Sequence, residues 1–243
     1  MIFATNRVSQ ESEFRGTTQT RLTNIETRLG GIETNLLALR AAQAANLPTD
    51  KKNIADAKAI LDTAKQSAIK LPTNVVEQSG KAFIDAALKE PAAWNVALDF
   101  LNYRSTLNIY TRHVKTVASP PYSMTFDIGG AVTGKPLPQL SHVPVAVDPK
   151  DAARFEKIGQ NLNQQAPIGT SQLILTGGAL NLDDRYVRHA IFVGVEVHYT
   201  GKPLILEDAV FVNCTFLFDN TRLGRQFGQA LLASSPISFQ NPG

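Results

Sequence analysis

The sequence predicts an α+β chain with an N-terminal coiled-coil helix, a small helical bundle and a C-terminal short right-handed parallel β-helix. Three observations carry this. Leu22, Ile25, Leu29, Ile32, Leu36 and Leu39 recur in alternating steps of three and four residues, which is a heptad seam. From Asp50 to Val117 the apolar residues keep helical spacing between Pro and Asn punctuation. From Gln172 the period becomes that of strands, and Ile191–Val197 is echoed 19 residues later by Val210–Phe216, a recurrence that belongs to stacked solenoid coils. The boundaries that follow are 1–45 for tail and coil, 46–118 for the bundle, 119–170 for an irregular connector and 171–243 for the β-helix with a capping helix.

Residues 5–19 read as a polar, mobile stretch ahead of the seam. With Leu22, Leu29 and Leu36 at heptad position a, the d positions hold Ile25, Ile32 and Leu39. Leu at a with Ile at d favours three or four strands over two. Arg21 and Arg28 fall at g, Glu26 and Glu33 at e, so a parallel neighbour sets each Arg against a Glu five residues on. An amphipathic helix packed on its own domain gives the same pattern. Gly30-Gly31 weakens the coil, at about 1 kcal/mol per Gly relative to Ala, so other contacts between subunits must reinforce it. Pro48 stops the helix.

Asp50 opens a second helix that buries Ile54, Ala57, Leu61, Ala64 and Ala68 and runs toward Pro72. Asn74 with Glu77 has the spacing of a capping box for a third helix burying Val76, Phe83 and Ala87. Pro91 suits the first turn of a fourth. That helix buries Trp94, Leu98, Leu101 and Ser105, and a second stripe, Phe100, Leu107, Tyr110, Val114 and Val117, carries it on past Asn108. Composition changes at Ser119-Pro120-Pro121, where Pro and Gly break the chain into short pieces. Extended segments are expected at Tyr122–Ile128 and Val143–Val147, with a short helix at Ala152–Leu162. In the solenoid, Leu180–Asp184 echoes Leu204–Asp208. Arg185–His189 reads as an insertion absent from the next coil. So few coils need a cap, and a helix over Arg222–Ala233, the connector and the bundle are the candidates.

The net charge of +3 over 243 residues excludes nothing about partners and demands no nucleic acid. A single cysteine, Cys214, rules out a disulfide framework within one chain and reads as a solenoid core residue. No apolar run is long enough to span a bilayer. Gly129–Lys135 has phosphate-loop spacing, but Pro136 stands where Ser or Thr must hold magnesium. The same Thr-Gly-Lys-Pro-Leu string recurs at Thr200–Leu204, which marks it as a turn. His113, His142, His189 and His198 have no metal-ligand spacing. Asp183-Asp184 and Glu207-Asp208 resemble the paired acids of glycan-cleaving solenoids, yet so short a coil stack offers no long groove. No catalytic residue, metal or cofactor is therefore expected. Two basic-aromatic clusters remain as ligand candidates, since Arg and Tyr together can pair phosphate and stack a base. One is Arg104, Asn108, Arg112 and Lys115 on one helix face, and the other is Arg185, Tyr186 and Arg188.

Pro91-Ala92-Ala93-Trp94 running to Asn102-Tyr103-Arg104-Ser105-Thr106-Leu107-Asn108, followed by Leu204–Phe216, resembles bacterial proteins with a membrane anchor, a coiled coil and this two-part soluble region. Some of these look like Hailong-type anti-phage effectors. The resemblance implies a non-enzymatic, cytoplasmic domain of a homo-oligomeric membrane protein, tetrameric ahead of trimeric, answering a nucleotide or oligonucleotide. Because the sequence holds no transmembrane segment, that role expects one upstream of Met1. A structural oligomer of a phage or surface fibre is the competing expectation.

Overall fold

The computed structural model describes residues 3–108, 139–144, 171–188 and 190–241, with side chains described from 18 onward in the first segment and from 174 onward in the third. Its helices and mixed sheets make an α+β chain. Helix α1 spans Phe3–Asn46 without a break, so the stretch expected to be mobile is helical. No Pro interrupts it, and once a helix is nucleated each further residue adds a hydrogen bond at little cost. At 1.5 Å rise per residue it is about 66 Å long.

Helix α2, Lys51–Gln66, starts where Asp50 accepts hydrogen bonds from the Lys52 and Asn53 amides. It buries Ala57, Ile60, Leu61 and Ala64. It stops six residues short of Pro72 because Ala68 turns to φ 51°. The Ile69 amide then donates to Ala64 O, and the Ala68 amide to Lys65 O, a Schellman ending with Ala in the place Gly usually takes. Helix α3, Thr73–Ala86, has Pro72 at its N-cap and no side-chain cap, so the Asn74–Glu77 box does not form. Val76, Phe83 and Ala87 are buried as expected.

Helix α4, Ala92–Leu107, ends at Asn108, whose backbone is extended. The single helix expected to carry Arg104, Asn108, Arg112 and Lys115 is therefore broken at its second member, and Arg112 and Lys115 lie outside the described residues. The expected segments at Tyr122–Ile128 and Ala152–Leu162, and the loop Gly129–Lys135, also lie outside them.

The strands are β1 Gln139–Pro144, β2 Ser171–Thr176, β3 Ala179–Asn181, β4 Arg185–Arg188, β5 Ala190–Val193, β6 Glu196–Tyr199, β7 Leu204–Val212, β8 Thr215–Phe218 and β9 Ile237–Asn241. They form three parallel ladders. In the first, Leu173 pairs Ala190 and Ile191 pairs Val210. In the second, Leu180 pairs Val197 and Val197 pairs Phe216. In the third, Arg185 pairs Leu204. The 19-residue echo of Ile191–Val197 is thus the true register. The echo of Leu180–Asp184 in Leu204–Asp208 is not, because those segments sit on different ladders. Arg185–Arg188 is no insertion either. It is β4, paired in parallel with β7 in the third ladder, disguised because polar side chains dominate it. One corner recurs through the stack, with Gly177, Gly194 and Asn213 all at positive φ, so Asn213-Cys214 stacks on Gly194-Val195 as the repeat predicts.

Asp183 is another departure. It is buried rather than solvated, and its carboxylate accepts from Thr200 N and Thr200 Oγ1, holding the Thr200–Leu204 turn in place.

Helix α5 spans Arg222–Ala233, the expected residues, and starts with Thr221 accepting from the Gly224 amide. It lies between bundle and strands. Phe227 packs on Tyr199, Phe218 and Phe239. A Cβ on Gly228 would meet Ile84 and Leu101. One continuous core therefore runs from α1 to β9. Strand β9 pairs antiparallel with the first half of β7, and β1 pairs antiparallel with β2.

Helix α4 closes the free edge of the last coil. Trp94 Nε1 donates to Phe218 O at 2.8 Å. The Phe216 amide donates to Asn102 Oδ1 at 2.7 Å, and Asn108 Nδ2 donates to Phe211 O at 2.7 Å. A bare strand edge is an aggregation hazard, and these side chains supply the partners a further strand would.

Candidate assembly surface

Leu22, Ile25, Leu29, Ile32, Leu36 and Leu39 are each between 49% and 66% exposed. Scattered exposed leucines need no explanation, but six in one unbroken stripe form a patch that asks for a partner. The bundle does not use this stripe. Leu37, Ala38, Ala41 and Ala44 are the α1 residues it buries, and at about 100° per residue they centre roughly 150° around the helix from the seam. Leu36 beside Leu37, and Leu39 beside Ala38, divide along that line. The chain's own domain therefore covers the opposite face, and the seam stays open.

Arg21, Glu26, Arg28 and Glu33 flank the stripe and are exposed. Among the described residues none of the four has a charge partner in its own chain. Gly30 and Gly31 fall at positions b and c, away from the seam, with nothing within 4 Å of either Cβ site. They loosen the helix without interrupting the stripe.

The basic-aromatic residues are differently placed. Arg104 is 9% exposed; its Nη1 donates to Asn108 Oδ1, and its Nε lies 3.8 Å from Glu77. Asn108 spends its own amide on Phe211 O. Arg104 and Asn108 thus come together as an internal stitch between helix and strands. On β4, the Arg188 guanidinium lies 2.8 Å from the Glu207 carboxylate and 4.8 Å from the centre of the Tyr186 ring. The Tyr186 hydroxyl donates to the same Glu207 at 3.4 Å. Burial pushes the Tyr186 phenol up, Arg188 pulls against it, and Glu207 adds to the rise. Arg185 lies on the other face of the strand from these two. Arg188 and Glu207 share a rung of the third ladder, so the cation is answered in place. A search for basic clusters along the chain misses Glu207, which is distant in sequence. Asn102, one residue after the buried Leu101 on α4, was the signal for the edge cap.

A cavity of about 510 Å³ opens between α2, α4 and the β7–β8 corner, lined in part by Lys65, Lys70, Asn102, Tyr103 and Asn213. The Tyr103 hydroxyl is spent there, accepting from the Leu71 amide at 2.9 Å and donating to Ile69 O. Cys214 is buried, and that burial pushes its thiol up to about 11, the opposite of what a nucleophile needs. His198 pairs with Glu196 at 2.8 Å. Among the described residues no three His, Cys, Asp or Glu side chains form a group able to hold a metal, and no helix is long and apolar enough to cross a membrane.

Among the described residues the six-residue apolar stripe on α1 is left open by the chain's own core. Comparison with known protein families, with curated proteins and with solved structures finds no match.

Proposed function

We propose that this chain is a non-enzymatic assembly domain that joins identical subunits through a parallel coiled coil of α1, four strands ahead of three, and carries a short right-handed parallel β-helix beside it. The observation behind it is the exposed Leu22–Leu39 stripe. Leu at a and Ile at d favours the higher orders. The flanks favour the parallel sense, since an antiparallel pair would set Arg against Arg and Glu against Glu. For the strands, a right-handed crossover is the overwhelming rule where parallel strands follow one another in a sheet. Solenoids of so few coils need caps, and α4, α5 and β9 fill that role.

The sequence resemblance extends this proposal to the soluble part of a bacterial membrane effector in anti-phage defence, attached through a segment outside this sequence and answering a nucleotide or oligonucleotide. One observation favours the other reading, a structural oligomer of a phage or surface fibre: Arg104 and Arg188 are both engaged inside the chain. Salt-sensitive binding of short single-stranded DNA, RNA or cyclic nucleotides by the wild-type protein separates the two. Binding supports the effector, and its absence leaves the structural oligomer. In either case Leu29→Asp and Ile32→Asp, which place charge in the seam, must reduce the assembly to lower species in light scattering. An unchanged mass overturns the proposal.

A further inference from the structure

Between the seam on one side of α1 and the bundle on the other lies a groove of about 370 Å³, formed by α1 and α2. Leu37, Ala44 and Ile60 are its buried floor, and Arg40 and Asp56 stand exposed at its rim. Its direction matters. At about 100° per residue, Arg40 lies about 50° from the centre line of the seam and the floor residues Leu37 and Ala44 about 100° from it. In a ring of four parallel helices each neighbour sits about 45° to either side of the line to the axis, and in a ring of three about 30°. The Arg40 rim of the groove therefore lies in the direction of a neighbour in a four-fold ring, with the floor further round the helix.

We propose, on the strength of the assembly reading above, that the α1–α2 groove is the second part of the subunit interface and receives α1 of the next copy. The flank that enters it is the g side of that helix. Arg21 opposite Glu26 and Arg28 opposite Glu33 fix a five-residue offset between flanks. The same offset sets Asn35 against Arg40 and Ala42 against Leu47. Leu47 is 65% exposed, outside the a–d stripe, and this contact covers it. The g residues also change where the groove begins, from Arg to Asn and then Ala, and small uncharged side chains let a helix approach an apolar floor closely. Six seam positions alone make a marginal coil. The groove supplies the reinforcement, and α2 serves a neighbour's coil helix as well as its own.

The test is oxidative cross-linking of an Asn35→Cys, Asp56→Cys double variant of the full chain. Asn35 and the groove lie on opposite flanks of α1, so this disulfide forms only between copies. Leu39→Cys, within the seam, is the positive control, and Asn35→Cys with Lys81→Cys, on α3, is the negative one. The expected result is a covalent ladder reaching the tetramer for Asn35/Asp56, a covalent dimer for Leu39, whose single thiol joins one neighbour only, and no cross-link for Asn35/Lys81. A covalent dimer from Leu39→Cys without a ladder from Asn35/Asp56 overturns the groove contact and leaves the coil standing. A monomeric mass with no cross-link from either overturns the assembly reading, and the groove contact with it.

Discussion

The Ser105 hydroxyl lies 3.0 Å from the Cys214 amide nitrogen and 2.9 Å from the Cys214 carbonyl oxygen. One helix side chain thereby meets both backbone hydrogen-bonding groups of a buried residue in the corner between β7 and β8, 109 positions away in sequence. With Asn102, Asn108 and Trp94 each meeting one backbone group along the edge, α4 ends the parallel ladders and joins them to the bundle.

Ser105→Ala removes both contacts and leaves the Cys214 groups buried and unpaired. The cost of such orphaned groups is about 1–3 kcal/mol. Urea unfolding is expected to show a lower midpoint with an unchanged slope. A midpoint equal to wild type would mean that α4 does not close the edge.

Ala68 holds φ 51° at the end of α2, a conformation in which a Cβ is unwelcome. Ala68→Gly is expected to stabilise the folded chain by about 0.5–1 kcal/mol, the left-handed strain outweighing the added freedom of the unfolded chain. Thermal or urea unfolding measures it, and a loss of stability contradicts the Schellman ending.

Burial pushes the Cys214 thiol from its ordinary 9.0 to about 11. The folded state therefore holds this proton more tightly than the unfolded one. Its contribution is fully present below about pH 9 and is lost as pH rises toward 11. Cys214→Ala is expected to flatten that part of the stability–pH curve. Native wild-type protein should react with a thiol reagent only at the rate at which it opens, and rapid native labelling would contradict the buried register.

A Cβ on Gly80 would stand 2.8 Å from Leu232 Cδ1 and 3.1 Å from Phe100 Cβ. Gly80→Val is expected to cost about 1–3 kcal/mol by overpacking the junction of α3, α4 and α5, read as a lower melting temperature. A neutral effect would contradict that close approach.

Much of this architecture is legible from residue order. The α1 stripe, the α5 span and the 19-residue register all follow from apolar spacing, because each sets its apolar residues on one regular face. What stayed hidden is short or polar. Strand β4, Arg-Tyr-Val-Arg, offers one apolar residue to the core and looks like a loop. The partners recur at 17 residues for Leu173–Ala190 and at 19 for Ile191–Val210, whereas Leu180–Asp184 and Leu204–Asp208 are alike only in composition and lie at neither spacing. Asn108 looks helical by spacing, yet its amide is worth more on Phe211 O than in another turn. The pairing of Arg104 with Glu77 and of Arg188 with Glu207 was hidden for a similar reason, since each acid comes from a distant part of the chain.

The assembly claim turns on one number, the mass of the wild-type chain in solution by light scattering behind size exclusion. A mass near four times the 26.4 kDa chain, or near three times it, is the expected result, and it should fall in Leu29→Asp. A wild-type mass of 26.4 kDa at every concentration tried would contradict the open seam as an assembly surface.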